Sequence, residues 1–516
     1  MTSIGIDLGT TNTAAAEKVG DLPKVVDFQG ERTMRSVVAF TEGDDEVIVG
    51  NDAVGYVETD PEATFESFKR EMGTDTTYAV PDGYTISEFT PEMLSALVLR
   101  KAVATAEQSL GSEVDSAVVT VPADFPEPAR RATERAAEYA DLEVLRLLPE
   151  PSAACAAYGL REREDPIETV AVYDLGGGTF DISVVEIVPE ADLYEVQGTD
   201  GRQQLGGDDF DERLVEHVAS EFEAETGIDL LDDHQDRERL RQAAKSVKHK
   251  LSNADEAEVR VPFVRPDTNL EQTVTRETFE DLTADLVDET IDVCEGLFEQ
   301  LSVGVDDVDT VLLVGGSSKM PQIETAVEEF FGLEPSKEVN PDEAVAMGAA
   351  EQAAVISGRS GLDPDTEDSE GLDGGGILGV APDPIGIRVH DGSFSRIIDD
   401  NETLPVRAVE DGYSTIEDGQ EKASIEVYQG ESDVAEENEA IGSFVLDNIR
   451  DAPAGVPNIA VELELDESGV LRPRAWDESV GEEAGAGLDD GVEISHDEAE
   501  SEADVAAIRD DLPTVK

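Results

Sequence analysis

Two stretches of this 516-residue chain repeat one pattern. "IGIDLGTTNTAAAE", residues 4–17, and "VYDLGGGTFDISVVE", residues 172–186, each place an aspartate after an apolar run, followed by Leu-Gly and further small or hydroxyl residues. This pattern predicts a strand, a glycine turn and a returning strand. One such turn is more often only a hairpin, but two copies in the same context indicate a duplicated fold.

The glycine turns are suited to bind phosphate. Glycine has no Cβ and adopts positive φ freely, so backbone N–H groups can approach an anion. Thr10, Thr11 and Thr179 add hydroxyl donors. Asp7 and Asp174 would repel phosphate unless a cation lies between them, and Mg²⁺ suits this role because it keeps most of its waters. We therefore expect two facing hairpins that hold a polyphosphate and its Mg²⁺.

The charge of the chain limits its partners. Acidic residues outnumber basic ones by 120 to 37, which gives a formal net charge of −83. A nucleic-acid partner is not expected, because its phosphates would be repelled. Acid excess along the whole chain, with 5% aromatic residues, favours a halophile's protein whose internal repulsion is screened by salt.

The sequence also predicts a cytoplasmic location. Its start has no basic region followed by an apolar core, and no long uncharged run occurs, so neither export nor a membrane partner is expected. Cys155 and Cys294 are far apart and lack metal-ligand spacing. We expect both thiols to be reduced.

The chain divides into segments of different composition. Residues 1–359 alternate strand-like apolar runs with long helical patterns, which predicts an α/β domain. Residues 360–376 are rich in Gly, Asp and Ser and predict a linker. Residues 377–494 alternate short apolar runs with turn residues, which is typical of an antiparallel β-domain. Residues 495–516 are expected to be a solvated, partly disordered acidic tail.

Further motifs carry a family resemblance. "GIDLGTTNT", "LLPEPSAACAAYGL", "VYDLGGGTFDISV", "LGGDDFDERL", "VLLVGGSSKMP" and "NPDEAVAMGAA" resemble the ordered motif series of the 70-kDa heat-shock chaperones of the DnaK type. "EVYQGE", "IGSFVLDNI" and "NIAVELELDESGVL" extend the resemblance to about residue 494, and the acid excess is similar to that of haloarchaeal proteins. The resemblance implies an α/β actin-like ATPase fold, duplicated into two lobes, followed by an antiparallel β-sandwich that binds extended peptides.

The same resemblance implies a catalytic centre. It implies ATP or ADP as the ligand, with Mg²⁺ and, as a further candidate, K⁺. The residues that match catalytic positions are Lys69, Asp7, Glu150, Asp174 and Thr179. Asp7, Asp174 and Asp181 match carboxylates that hold the metal largely through water. Lys69 matches the lysine that positions the attacking water, and its charge would stabilise charge on the phosphoryl oxygens.

A larger set matches nucleotide-binding positions. These are Gly9, Thr10, Thr11, Asn12, Gly176, Gly177, Gly178, Thr179, Gly206, Gly207, Lys245, Lys248, His249, Ser252, Gly315, Gly316, Ser317, Lys319 and Asp342. One helical face carries Lys245, Lys248, His249 and Ser252. Without the resemblance, this stretch would be interpreted as a solvated basic face. Lys245 replaces an expected glutamate, and His249 and Lys319 replace arginines that would stack on adenine. We therefore expect ATP to be only weakly preferred over GTP.

The resemblance also covers communication and peptide binding. Pro122 and Arg130 match residues that relay the nucleotide state toward the linker. His390, Tyr413, Ile416 and Ala423 match peptide-binding positions. The apolar linker is reduced to Ile377 and Leu378, and a helical lid is not expected after the sandwich. Unfolded polypeptides are the implied partners, with a J-domain co-chaperone and a nucleotide exchange factor as candidates.

Three functional hypotheses remain at this level. The first is an ATP-driven chaperone that hydrolyses ATP and binds extended hydrophobic segments of unfolded proteins. The second is a nucleotide-sensing scaffold with one dedicated protein partner and little turnover. The third is a sugar kinase or an actin-like filament protein, although neither has a counterpart of the β-domain.

Overall fold

The computed structural model describes residues 2–20, 22–41, 46–159, 167–188, 193–337, 340–358, 376–478 and 502–516. The predicted linker therefore lies outside the described residues except for Gly376. The predicted β-domain and tail are described up to residue 478 and again from residue 502.

Residues 2–159 form the first lobe. Its strands are β1 (Thr2–Leu8), β2 (Asn12–Val19), β3 (Leu22–Val25), β4 (Met34–Arg35), β5 (Val37–Phe40), β6 (Glu46–Val49), β7 (Thr64–Glu66), β8 (Tyr78–Ala79), β9 (Glu88–Phe89), β10 (Val114–Val121) and β11 (Glu143–Pro149). Its helices are α1 (Val54–Thr59), α2 (Pro91–Leu110), α3 (Glu127–Tyr139) and α4 (Glu150–Gly159). The main sheet has the order β11-β10-β1-β2-β3, and β5, β6 and β7 belong to a smaller sheet.

Residues 167–358 form the second lobe. Its strands are β12 (Glu168–Leu175), β13 (Phe180–Val188), β14 (Leu193–Arg202), β15 (Glu256–Arg265), β16 (Thr268–Thr275) and β17 (Thr310–Val314). Its helices are α5 (Gly207–Thr226), α6 (His234–Leu251), α7 (Arg276–Gln300), α8 (Pro321–Phe331) and α9 (Ala344–Ile356). The main sheet runs β17-β12-β13-β14.

The two lobes repeat one strand arrangement. In the first lobe β1 and β2 form an antiparallel hairpin, and β1 pairs in parallel with β10. In the second lobe β12 and β13 form the hairpin, and β12 pairs in parallel with β17. The predicted strand–turn–strand units and the duplicated α/β fold are therefore confirmed. Each glycine turn lies at one end of its sheet, where it can face the other.

Helix boundaries follow ordinary capping chemistry, as α2 illustrates. The Thr90 hydroxyl accepts the Met93 N–H at 3.4 Å, and Pro91 occupies the first turn, where its missing N–H costs no hydrogen bond. The helix ends at Gly111, whose φ of 70° suits glycine. None of the helices in the described ranges is long and apolar enough to cross a bilayer.

Helices α4 and α9 pack together where the two lobes join. A Cβ built on Gly348 of α9 would lie 1.7 Å from the Ala153 carbonyl oxygen of α4. A Cβ built on Gly5 of β1 would lie 2.1 Å from the Ala350 nitrogen of α9. Backbones approach so closely here that only glycine fits. This packing fixes the first hairpin against the helices shared by both lobes.

The β-domain is an antiparallel sandwich. The next strands are β18 (Gly376–Leu378), β19 (Ile385–Arg388), β20 (Phe394–Ile398), β21 (Val406–Tyr413), β22 (Ala423–Gln429), β23 (Glu439–Leu446), β24 (Ile459–Leu465) and β25 (Leu471–Asp477). One sheet has the order β20-β19-β22-β23 and the other β21-β24-β25. Apolar side chains from both sheets form one buried core, which confirms the predicted sandwich.

Strand β18 differs from the sequence expectation. Residues 377 and 378 were assigned to the β-domain, but β18 pairs in parallel with β14 and extends the sheet of the second lobe. Ile377 is only 2% exposed and packs among apolar residues of both lobes. The reason is that this short apolar run completes a sheet edge and covers the α4 region.

Residues 502–516 also differ from expectation, because they are not a solvated tail. They form α10 (Glu502–Asp511) and β26 (Thr514–Val515), which pairs in parallel with β6. Leu512 is 6% exposed and belongs to the core of the first lobe. Although the segment is acidic in composition, it contains four spaced apolar side chains that pack on this lobe, namely Val505, Ile508, Leu512 and Val515.

The net charge of −83 leads to a prediction about salt. Repulsion among carboxylates should destabilise the fold when the Debye length is ~10 Å or longer, as in 0.1 M salt. We expect the Tm to rise by roughly 10 °C or more between 0.1 M and molar KCl, as followed by circular dichroism. NaCl should act similarly, because screening does not depend on the cation. A constant Tm over this range would contradict the halophile interpretation.

Candidate nucleotide site

The two glycine turns meet across the cleft between the lobes. A Cβ built on Gly177 would lie 1.9 Å from Thr11 Oγ1, and one built on Gly178 would lie 2.9 Å from Thr10 Cγ2. Residues of both turns line one cavity, namely Gly9, Thr10, Thr11, Asn12, Gly176, Gly177 and Thr179. Thr11 Oγ1 is buried and has no hydrogen-bond partner in the part of the chain that the structure describes. An unused hydroxyl donor thus faces a cavity between two glycine turns.

Buried charges surround the same cavity. Lys69 Nζ donates to Glu150 Oε1 at 2.7 Å, and Lys69 is 4% exposed. Asp7 accepts from Thr120 Oγ1 at 3.4 Å. Asp174 is buried beside them. Lys69 is positioned by the turn Phe68–Glu71 rather than by a long helix, so its side chain can reach across to the start of α4.

The carboxylates here repel one another. Burial, with Glu150 as the next cause, raises the pKa of Asp7 to about 7. Burial and Glu150 likewise raise the pKa of Asp181 to about 7, although its side chain accepts the Asp124 N–H at 3.0 Å. The pKa of Asp174 lies well above its usual range because of burial, Glu150 and Asp181. One lysine does not compensate these groups, so the site favours a further cation.

The donor set fits a hydrated Mg²⁺ rather than a closed protein cage. Among the described residues, no group of three or more His, Cys, Asp or Glu is arranged to hold a metal ion directly. Mg²⁺ keeps several waters and accepts carboxylates in its outer shell. Asp7, Asp174 and Asp181 could hold it in this way.

Further glycines bring α5 and the loop after β17 to the second hairpin. Gly315 has a φ of 80°, and a Cβ there would lie 2.3 Å from the Leu175 carbonyl oxygen. A Cβ on Gly206 would lie 2.6 Å from the Gly178 nitrogen, and α5 begins at the next residue, Gly207. The Ser317 hydroxyl donates to the Gly176 carbonyl at 2.8 Å. A side chain at Gly206 or Gly315 would push the second turn out of place.

A second cavity of about 510 Å³ adjoins the first. It is lined by residues of the basic stretch on α6 together with Gly207, Gly316, Ser317, Lys319 and Asp342. Lys245 and Lys248 are 7% and 4% exposed, so this stretch is not a solvated basic face. Burial, helped by the neighbouring lysines, lowers the pKa of His249 to about 4, so its ring is neutral at pH 7. Ser252 lies at the end of the same helix and also lines the cavity.

Carboxylates that the motif comparison did not assign pair with these cations. Lys245 Nζ lies 3.3 Å from Asp208 Oδ1, and Lys248 Nζ lies 2.9 Å from Asp211 Oδ1. Burial alone would raise the pKa of Asp208, but Lys245 and the Ser67 hydroxyl outweigh it and lower the pKa to about 2. The replacement of glutamate by Lys245 is therefore compensated by Asp208, which lies within the motif "LGGDDFDERL".

Sequence reasoning also missed Thr33 and Arg35. Both line the second cavity, and Thr33 lines the first as well. No motif signals either residue, because they belong to a separate segment that reaches the site only by pairing with β2.

The β-domain contacts the first lobe through α3. Arg130 is 4% exposed and donates to the carbonyls of Phe125, Ala123 and Ser468, at 2.9, 2.9 and 3.3 Å. Burial lowers the pKa of Arg130 to about 10, so it stays charged at neutral pH. Pro122, the other predicted relay residue, is buried at the end of β10. Arg130 thus joins the loop after β10 to the β-domain turn at Ser468.

We expect Glu134 to make docking of the β-domain on α3 sensitive to pH. Burial raises the pKa of Glu134 to about 7, and the charge of Asp466 in the β-domain is the next cause. Glu127 and Glu138 of α3 raise this pKa further, whereas Arg131 lowers it. The docked state therefore binds a proton more tightly than the separated state does. Docking of the β-domain should therefore strengthen as the pH falls from 8 through 7 toward the usual pKa of glutamate. The separated fraction should be several-fold larger at pH 8 than at pH 6.

Energy transfer between two labelled cysteines measures this fraction. Cys155 and Cys294 are buried, so dyes can be placed selectively on the exposed sites Glu113→Cys and Glu417→Cys. Glu134→Gln should reduce the pH dependence while leaving the docked fraction at pH 6 unchanged. A dependence as large in Glu134→Gln as in the wild type would contradict the assignment.

The predicted peptide-binding residues are spread over the sandwich. His390 is exposed in the turn after β19, and Ile416 is 56% exposed in the loop after β21. Ala423 begins β22 and packs against the domain core. Tyr413 ends β21, and its hydroxyl forms a hydrogen bond of 2.8 Å with Ser395 of the other sheet. Within the described residues β21 pairs only with β24, which leaves its other edge open.

Comparison with known proteins agrees with this architecture. The family model described as Hsp70 protein matches residues 3–511. The chain belongs to the Hsp70 family. It is 42% identical to the chaperone protein DnaK of Halobacterium salinarum, over 97% of this chain and 78% of that protein. It is also 42% identical to DnaK of Thermotoga petrophila, over 96% of this chain and 81% of that protein.

Hsp70 membership identifies the activity. This Hsp70 protein is an ATPase of the actin-like superfamily and an ATP-dependent molecular chaperone. The family binds ATP or ADP, generally with Mg²⁺, together with unfolded polypeptides and co-chaperones. The scaffold hypothesis is not favoured, because the chain matches DnaK chaperones over nearly its whole length. The sugar-kinase and filament hypotheses are not favoured, because the family match continues through the β-domain.

Proposed function

We propose that the cavity between the glycine turns binds the triphosphate of ATP and that the adjoining cavity holds the nucleoside. The observation that carries this proposal is the buried Lys69–Glu150 pair beside two facing glycine turns, next to an unpaired Thr11 hydroxyl. Backbone N–H groups of the turns would bind phosphate oxygens, and the Thr10 and Thr179 hydroxyls would add donors.

Lys69 is the proposed positioning cation for hydrolysis. Its ammonium is already oriented by Glu150, so little reorganisation is needed when the phosphates bind. Asp7, Asp174 and Asp181 would accept hydrogen bonds from metal-bound waters. Bound Mg²⁺ would neutralise phosphate charge, and K⁺ is a candidate second cation. The chain's own part is to align water and γ-phosphate.

The β-domain is proposed to bind extended hydrophobic polypeptide segments. The open edge of β21 offers backbone groups, and the exposed Ile416 with Tyr413 and Ala423 offers apolar surface. Main-chain hydrogen bonds would give affinity, and side-chain pockets would give selectivity. His390 would lie beside this path. A J-domain co-chaperone and a nucleotide exchange factor are the proposed regulatory partners.

A peptide-stimulated ATPase assay in molar KCl tests this function. ATP hydrolysis should rise several-fold when an extended hydrophobic peptide is added, and Ile416→Asp should lower peptide affinity about 10-fold. Val456→Asp, at another exposed apolar residue of the β-domain, serves as the control. Hydrolysis that no peptide stimulates would contradict coupling between the domains.

The base is expected to contribute little selectivity. His249 is neutral at pH 7, and the Lys319 ammonium lies 2.5 Å from Asp342 Oδ2, so neither supplies a free planar cation for stacking. We expect ATP to be preferred over GTP by less than about 10-fold in competition titrations. A preference of roughly 100-fold, equal to about 2.7 kcal/mol, would show that other groups recognise adenine.

A further inference from the structure

Arg35 is attached to the first phosphate turn. Strand β4 places it opposite Asn12 of β2. The Arg35 N–H donates to Asn51 Oδ1 at 2.9 Å, and the next residue, Ser36, donates through its hydroxyl to the Gly9 carbonyl at 2.7 Å. The backbone at Arg35 is therefore fixed relative to the turn that faces the phosphate cavity.

One nitrogen of the Arg35 guanidinium, Nε, has no protein partner among the residues that the structure describes. The lysines of the same cavity are each paired with a carboxylate, in the pairs Lys245–Asp208, Lys248–Asp211 and Lys319–Asp342. Arg35 Nε is buried and has no hydrogen-bond partner within the described ranges. In a chain with 120 acidic and 37 basic residues, an unpaired buried guanidinium nitrogen is unexpected. An anion from the ligand would satisfy it.

We propose that Arg35 binds a phosphate group of the nucleotide from the side of the first hairpin, where the second cavity is also lined by Thr11 and Asn12 of the phosphate turn. A guanidinium suits phosphate because its planar donors can bind two oxygens at once. The position opposite Asn12 places this cation beside the phosphate turn. The inference rests on the proposed nucleotide site.

Binding of ATP, ADP and adenosine to Arg35→Gln tests the assignment. ATP and ADP should bind roughly 10- to 100-fold more weakly, since a hydrogen bond to a charged group contributes about 1.5–3 kcal/mol. Adenosine affinity should stay unchanged. KM should rise while kcat stays within a few-fold, because the contact serves binding rather than the transition state alone. Arg35→Lys should restore part of the affinity, and Arg32→Gln, at an exposed arginine nearby, should change nothing.

The outcomes separate the inference from the proposed site. An equal loss of adenosine affinity would assign Arg35 to the base and overturn the phosphate contact. Unchanged affinities for all three ligands would overturn the inference alone. A wild type that binds no nucleotide would overturn the proposed site and the inference together. Thermal unfolding without ligand verifies that each variant is folded.

An independent observation concerns residues 502–516, which we call the anchor segment. Its strand pairs Thr514 with Glu46 and Val515 with Val47 of β6. Arg100 Nη2 of α2 donates to the Arg509 carbonyl at 2.7 Å, and Arg509 forms an ion pair of 2.8 Å with Asp141 after α3. Together with buried Leu512, these contacts fix the end of α10 and the strand that follows it on the first lobe.

The anchor segment and the β-domain contact the same helix. Helix α10 packs on α3, whose Arg130 and Arg131 also donate to the Ser468 and Leu471 carbonyls of the β-domain. In sequence, the β-domain lies between β18, which pairs with the second lobe, and the anchor segment, which packs on the first. It is therefore attached to the ATPase lobes on both sides.

We infer that the anchor segment limits separation of the β-domain from the ATPase lobes. A second attachment raises the effective concentration of the docked partner without adding a contact to it. The occupant of the β6 edge is the chain's own residues 502–516 rather than those of a second copy, because the observed pairing is intramolecular.

Two perturbations of the full chain test this role. The first is Ile508→Asp with Leu512→Asp, which removes the apolar contact, and the matched control is Ala507→Asp on the exposed face of α10. The second is a protease site inserted between residues 479 and 501, which cuts the connection but leaves the segment docked. With dyes at Glu113→Cys and Glu417→Cys, both should raise the separated fraction several-fold, while the control should not.

Each alternative has its own result. The inference would be overturned if the double variant raises the separated fraction but cleavage does not. That result would mean that the segment only stabilises the first lobe. A dimer in light scattering that dissociates on dilution, with docking lost in parallel, would assign the segment to a second copy and also overturn it. Loss of the segment from the cleaved protein during gel filtration would show that it is not docked.

Discussion

Lys69→Ala should lower the rate of ATP hydrolysis by roughly 10²-fold or more while changing nucleotide affinity only a few-fold. Phosphoryl transfer depends mainly on positioning and on charge stabilisation of the transition state, so loss of the buried Lys69 ammonium, which is paired with Glu150 of the phosphate cavity, is costly. Single-turnover hydrolysis and titration with a fluorescent nucleotide measure the two quantities. Lys24→Ala, at an exposed lysine of the same lobe, is the control.

The structure adds a way to separate catalysis from charge balance. Removing Lys69 leaves Glu150 facing Asp7 and Asp174 without its cation, so Lys69→Ala should also be less stable without ligand. Adding Glu150→Gln should recover part of the Tm but not the hydrolysis rate. If the double variant regains wild-type turnover, or if Lys69→Ala never loses it, the assignment of Lys69 is wrong.

Ile377→Asp should abolish most of the coupling between nucleotide and peptide. Ile377 is 2% exposed, β18 pairs with β14, and Arg146 Nη2 donates to the Ile377 carbonyl at 2.9 Å. A carboxylate in this position would release β18, since a buried unpaired charge is strongly unfavourable. Allosteric coupling is usually 5- to 150-fold, so the ATP/ADP ratio of peptide affinity should fall toward one. Stopped-flow release of a labelled peptide measures it.

The neighbouring residue provides a graded comparison. Leu378 is only partly buried, so Leu378→Asp should reduce the coupling less, and the double variant should resemble Ile377→Asp. Basal hydrolysis and thermal unfolding of the ATPase lobes verify that the variants remain folded. Coupling that survives Ile377→Asp would mean that the Arg130 contact carries the signal without β18.

Much of the fold was determined by local sequence. The duplicated glycine turns predicted two hairpins in two lobes, because only glycine permits the close approach now seen between Gly177 and Thr11. Alternating apolar residues after residue 377 predicted the β-sandwich for the same local reason. The charge of −83 also led to the expectation that nucleic acid is not a partner, and this expectation rests on the sequence alone.

Other features depended on partners that are distant in sequence. Arg35 reaches the nucleotide cavity only because β4 pairs with β2, and the Lys245 replacement is compensated by Asp208 from another helix. Ile377 was expected in a short apolar linker at the start of the β-domain but lies in the core between the lobes, because a sheet edge of the second lobe was available. Residues 502–516 resembled an acidic tail, yet four spaced apolar side chains suffice to pack them on the first lobe. The sequence by itself determined the hairpins and the sandwich, whose signals are local. Only the tertiary structure decided which charges pair and where short apolar segments pack, because both depend on surfaces that distant parts of the chain create.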